Sequence, residues 1–211
     1  MLSTSSYISL FRLQFPGLET SFPWQVTIHL TEIIRGLVGR LGNDYNINDG
    51  VAVHSSAIIE PGAQVKAPAL IGEHCFVGAN SCLRNGVYLD QHVKIGMACE
   101  IKTSIVFRNT AVAHFNFIGD SILGSGVNFE AGAITANHYN EREDKSISVI
   151  YNDSVIETGV TKFGALVGDH CKIGANAVLS PGTILAPHTI VKRLALVDQW
   201  ANFIVHSSRS M

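Results

Sequence analysis

The chain has 211 residues, 46% of them hydrophobic, which is enough apolar material for one well-buried domain and too little length for two large ones. A formal net charge of −2 argues against a chain built to bind nucleic acid or an anionic membrane, while leaving local basic groups free to hold a phosphate. Nineteen glycines with only 8% aromatics point to short strands joined by tight turns, not to a helix bundle.

In chain order, residues 1–20 read as an irregular lead-in without the basic start and long apolar run of a signal peptide. Ser21 and Pro23 then open a helical pattern. Trp24, Ile28, Leu30, Ile33, Ile34, Leu37 and Leu41 recur at helical spacing, and Gly42–Asn43 is a stop signal. This helix, within residues 1–47, is expected to cap the open end of the fold that follows, because a solenoid must cover its terminal strand edge.

From Val53 a strict period of six begins. Val53, Ile59, Val65, Ile71, Val77, Leu83, Leu89, Ile95, Ile101, Phe107 and Ala113 are all apolar, and mostly small residues follow four positions behind each. A six-residue unit is one short strand and one turn, and it cannot bury its own aliphatic side chain. Stacked coils can, by forming continuous ladders whose backbones bond as in a parallel sheet. The expectation is an all-β solenoid, a parallel β-helix of hexapeptide repeats spanning 48–194, with an N-terminal helical cap. The phase is read as resetting near Phe117–Ile118, continuing at Leu123 and Phe129, and failing over 138–160, where a polar stretch leaves the coil. It resumes at Val167, Ile173, Leu179, Leu185 and Val191. Residues 195–211 read as an amphipathic closing segment.

Cys75, Cys82, Cys99 and Cys171 form no CxxC pair and fit no common zinc spacing, so they read as reduced core thiols of a cytoplasmic protein. Polar residues that interrupt the repeat carry the chemistry. The densest set, His114, Asn116, Asp120, Asn128, Asn137 and His138, flanks the phase reset and the start of the excursion.

The block HFNFIGDSILGSGVN followed by GAITAN resembles the acetyltransferase domain of the bifunctional glucosamine-1-phosphate acetyltransferase / N-acetylglucosamine-1-phosphate uridylyltransferase family. The later ETGVTKFGALVGDHCKIG is similar to the archaeal branch, whose members pair a sugar-1-phosphate nucleotidylyltransferase with an acetyltransferase. The resemblance covers roughly 48–193. It implies a left-handed coil, a homotrimer with sites between subunits, acetyl-CoA as co-substrate and an amino-sugar phosphate such as glucosamine-1-phosphate as acceptor, with no metal. No G-x-G-T-R-M start of a nucleotidyltransferase occurs, so acyl transfer is the only reaction expected of this sequence.

Residue by residue, the resemblance makes His114 the general base and sets Asn137 beside the acetyl donor and the reacting groups. Arg84 and Lys102, one coil apart, match residues that hold the sugar phosphate, and Asn116, Phe117, Asn128 and Lys145 complete the substrate set. Ala131, Asn137, Ala175 and Lys192 are expected along the coenzyme. Each has a plainer reading: His114 and the asparagines as turn formers, the cations as solvated surface charges. The sequence departs from the family at Phe117 (Tyr), Glu130 (Gly) and His138 (Tyr or Leu). A UDP-linked acceptor and a non-catalytic trimeric scaffold are the alternatives. A γ-class carbonic anhydrase on the same coil would need a close H-x4-H pair, and the nine histidines include none.

Overall fold

A computed structural model describes residues 2–200. The chain coils into a β-solenoid of about eight turns with few helices. Three inward ladders run along it. The first is Val53, Ile71, Leu89, Val106, Leu123, Val167 and Leu185. The second is Ile59, Val77, Ile95, Val112, Phe129, Ile173 and Val191. The third is Val65, Leu83, Ile101, Ile118, Thr135, Leu179 and Val197. All of these pairings are parallel, and nearly all members belong to one continuous core.

The ladders correct the register read from the sequence. The slip comes one coil earlier than Phe117–Ile118: Val106 and Val112, not Phe107 and Ala113, continue the ladders. Its cause is a bulge. Arg84 pairs with Lys102 and Val87 with Ser104, so Asn85 and Gly86 stand opposite Thr103 alone. Both carry positive φ, 58° and 92°, which turns the chain within two residues. The coil spacing thus falls from 18 residues to 17. The doublets Val106–Phe107 and Val112–Ala113 are both apolar, and hide the step in the sequence.

The helices also sit elsewhere than expected. The lead-in is ordered, with a short helix α1 (Phe11–Gln14) whose Phe11 is buried. The predicted helix is two, α2 (Pro23–Ile28) and α3 (Leu30–Val38), parted at His29, with Phe22 rather than Ser21 at the N-cap. They lie along one flank and not over the open end. Trp24, Leu30 and Ile34 pack with Leu70, Tyr88, Ile105, Phe107, Ile122 and Leu166, the outward residues of the first ladder's strands. That flank is apolar on both faces of its strands, so it needs a cover as much as the interior does. At the N-terminal end the edge is paired by the antiparallel strand Tyr45–Asn48.

The polar excursion is built as well. It holds an antiparallel hairpin, Ser148–Tyr151 with Ser154–Glu157, turned by Asn152 and Asp153 at positive φ. Its base is closed by the Phe163 N–H donating to the Asn137 carbonyl at 3.0 Å. Residues 201–211 of the expected closing segment lie outside the described residues. The cysteines are free thiols, three of them buried. Cys75 Sγ donates to the Asp90 carbonyl, and burial pushes that thiol up to about 12.

Phe107 is fully buried between coil and helices, whereas Ala113 is partly exposed. Phe107→Ala should cost about 3–5 kcal/mol of unfolding free energy and Ala113→Ser about 0.5 kcal/mol or less, read by denaturant titration. Equal effects at the two positions would contradict the slip.

Candidate functional site

Two polar clusters stand on the coil, at different corners. The first lies where strand Phe117–Gly119 ends and where the excursion leaves. Arg84 and Lys102 are paired neighbours in adjacent coils, as expected of two groups sharing one phosphate. Neither is free. Arg84 binds Glu100 through Nε at 2.6 Å and Nη2 at 2.5 Å, and Lys102 Nζ binds Asp120 Oδ2 at 2.6 Å. The Arg84 pair is about a third exposed, but the Lys102 and Asp120 side chains are only 11% and 9% exposed.

Asp120 Oδ2 also accepts from Asn137 Nδ2, and Asn137 Oδ1 lies 3.2 Å from His138 Nδ1. Beneath them Thr135, at an inward ladder position, accepts from the Gly119 N–H and from Ser121 Oγ, so the corner is braced by buried hydroxyls. A Cβ on Gly119 would lie 2.7 Å from the Phe117 ring and 3.0 Å from Asn137 Cγ, which sets those two side chains together over a glycine that cannot be enlarged. Above Asp120 is a cavity of about 390 Å³, walled by Ile28 of α2, Thr103, and Val160, Thr161 and Lys162 of the excursion.

The second cluster follows another corner. The N–H after each corner residue donates to the carbonyl one coil back, which stacks Ala79, Met97, His114, Ala131 and Ala175 in a column. The next residues, Asn80, Ala98, Phe115, Gly132, Asn176 and Leu194, all turn at φ between 54° and 74°. His114 is exposed, and no hydrogen bond holds its ring among the described residues. Beside the lower column is an open cleft of about 480 Å³ lined by Asn128, Glu130, Lys172, Lys192 and Arg193. Glu130 does not simply fill it: its carboxylate takes Arg193 Nε and Nη2 at 2.7 and 2.8 Å and the Ala175 N–H at 2.9 Å. The Arg193 bonds first, then that N–H, hold this carboxyl below its usual range.

The structure therefore divides the expected site residues. Arg84, Lys102, Phe117 and Asn137 come together at one corner; His114, Ala131 and Ala175 share the other, with Asn128 and Lys192 in its cleft. Within one chain His114 makes no hydrogen bond to Asn137. Asn116 is turned into the coil, 2% exposed, with its Nδ2 on the His114 carbonyl, and so is no surface group for a substrate. Lys145 is exposed on the excursion and joins neither cluster. Asp120, one of the polar interruptions but given no role by the resemblance, is the hub of the first. The spacing offered it: Lys102, Asp120 and Asn137 follow one another by 18 and 17 residues, the coil period itself.

Lys102→Ala should lower the unfolding free energy by about 3–5 kcal/mol, because it strands a buried carboxylate. Arg84→Ala, at a more exposed pair, should cost about 1 kcal/mol or less. Denaturant titration of the two variants separates these outcomes.

Residues 46–139 match the family model of the GMPPB C-terminal domain, and residues 164–186 match the hexapeptide repeat of succinyl-transferase. The bifunctional protein GlmU of Methanococcus vannielii is 31% identical over 183 residues, 84% of this chain and 43% of that protein. The bifunctional sugar-1-phosphate nucleotidylyltransferase/acetyltransferase of Sulfurisphaera tokodaii is 31% identical over 160 residues, 73% of this chain and 39% of that one. GlmU of Carboxydothermus hydrogenoformans is 33% identical over 74% of this chain and 33% of that protein. The chain thus spans less than half the length of these curated relatives. With its repeat and its parallel coils, the chain is a hexapeptide-repeat protein similar to one part of the GlmU-type bifunctional proteins.

Proposed function

We propose that the protein is an acyltransferase that moves an acetyl group from acetyl-CoA to the amine of an amino-sugar phosphate such as glucosamine-1-phosphate. The observation that carries this reading is the corner column: His114 stands on it, and two coils further on it borders the cleft lined by Lys172, Lys192 and Arg193. An anionic thioester donor laid along Ala131 and Ala175 would set its phosphates against those cations and its acyl end near His114. The neutral imidazole of His114 would accept the proton of the attacking amine. Arg84, the more exposed of the paired cations, is the one able to leave its carboxylate for a sugar phosphate.

A trimer fits the same reading. The flank of the first ladder is covered by helices and excursion, while the two faces that meet at the His114 corner are open and bear exposed Ile58, Ile134, Ile190 and Leu196. A neighbouring copy packed there could bring its own Asn137 cluster towards His114. No helix is long and apolar enough to cross a membrane among the described residues.

The test is release of free CoA from acetyl-CoA across a panel of amino-sugar phosphates and UDP-amino sugars. His114→Ala should lower kcat by about 100-fold or more. Lys192→Ala should raise KM for acetyl-CoA with kcat little changed. Absence of acetyl-CoA binding by calorimetry would sink the reading in favour of a non-catalytic scaffold.

A further inference from the structure

The first cluster orders its four side chains by the number of lone pairs and protons each can offer. Lys102 can only donate, and its ammonium sits on Asp120 Oδ2. A carboxylate so paired can only accept, so Asn137 must turn its NH2 group towards it, and Nδ2 lies on the same oxygen. The charge thereby fixes the amide's orientation and sends its oxygen the other way, to His138 Nδ1 at 3.2 Å. An amide oxygen has no proton to give. The contact is a hydrogen bond only when Nδ1 carries the proton, and a neutral imidazole has just one N–H. Nε2 is then left with its lone pair, on a residue exposed at the excursion's neck.

We propose that Lys102, Asp120 and Asn137 form an orienting relay that locks His138 in its Nδ1–H tautomer and leaves Nε2 as a second proton acceptor beside the acceptor site. An imidazole aimed by a hydrogen bond behind it is the arrangement by which enzymes present a base. Among the described residues of its own chain His114 has no such partner, and the resemblance offers Tyr or Leu, neither a base at neutral pH, where this chain has His138. On the acyl-transfer reading, on which this role rests, the amine nitrogen bonds to the acyl carbon and the C–S bond breaks with its electron pair on sulfur. The acceptor enters as the ammonium and gives up two protons: the first passes to His138 Nε2, which frees the nitrogen lone pair and later hands that proton to water, and the second passes to His114 as the N–C bond forms and goes on to the thiolate. Asp120 and Lys102 touch no substrate in this scheme and act as positioning residues.

The tautomer is read without turnover, by long-range 1H–15N NMR on histidine-labelled protein, with His138→Gln identifying the resonances. His138 should show a protonated Nδ1 and a bare Nε2 in the wild type. Asp120→Asn, which frees the Asn137 amide to flip, should move it towards the Nε2–H form. Asn137→Leu, which removes the amide oxygen at similar volume, should do the same if the Asp120 variant fails to fold. A wild-type His138 with its proton on Nε2, or a tautomer indifferent to both changes, overturns the relay, and these results stand even if the chain transfers no acyl group. In the CoA-release assay His138→Gln should lower kcat by about 100-fold with both KM values within about twofold. An unchanged kcat in an otherwise active protein overturns the role of Nε2 as proton acceptor.

Discussion

Every coil of this molecule must present its aliphatic side chains to the same positions of the coil above and the coil below. That stacking constraint, enforced by parallel backbone hydrogen bonds on each face, dictates where everything else can go. Inward positions are spent on Val, Ile, Leu and Phe. Polar chemistry is left the outward positions and the corners, and both clusters stand at corners. Where a polar group does enter the ladder, at Thr135, it is bonded at once to Gly119 and Ser121, and it braces the corner that carries Asp120 and Asn137.

The corners differ in electrostatic character for the same reason. At the excursion's neck, each cation stands close to a carboxylate on an outward position nearby, so Arg84 and Lys102 are both neutralised within the chain. Burial makes the second pair a fixed structural element, whereas the first stays about a third exposed and is free to exchange. At the other corner Arg193 alone is paired among the described residues, through Glu130, and Lys172 and Lys192 keep the cleft positive. Glu130, which stands where the resemblance has Gly, takes one of the cations of that cleft.

The coil was legible because its period is a direct imprint of stacking, and the segment singled out by the resemblance reaches both polar corners, through His114 and through Asn137. What the sequence concealed had specific causes. Two apolar doublets masked the one-residue step after Asn85–Gly86, because Phe107 is as hydrophobic as the Val106 it follows; one faces the helices and the other the interior. The amphipathic pattern of the helices is the same for an end cap as for a flank cover, because it says nothing of which apolar surface they meet. Asp120 was visible as a polar interruption, but its partnership with Lys102 needed the coil period applied to charged residues as well as to aliphatic ones. The orientation of Asn137 and His138 was not readable at all, since it follows from which atom of each side chain has a proton to give.

The bond between the Phe163 amide and the Asn137 carbonyl closes the excursion at its base, so the solenoid regains its path whatever the intervening chain does. Closure entropy grows only slowly with the length of such a detour, about 0.6 kcal/mol for each doubling. Length there is therefore cheap to change, while the apolar cover is not, since Tyr139, Ile147 and Val149 are buried against the flank. Because the detour starts next to Asn137 and walls the cavity above Asp120, a change in its length or its polar residues would reshape that cavity while the coil keeps its path.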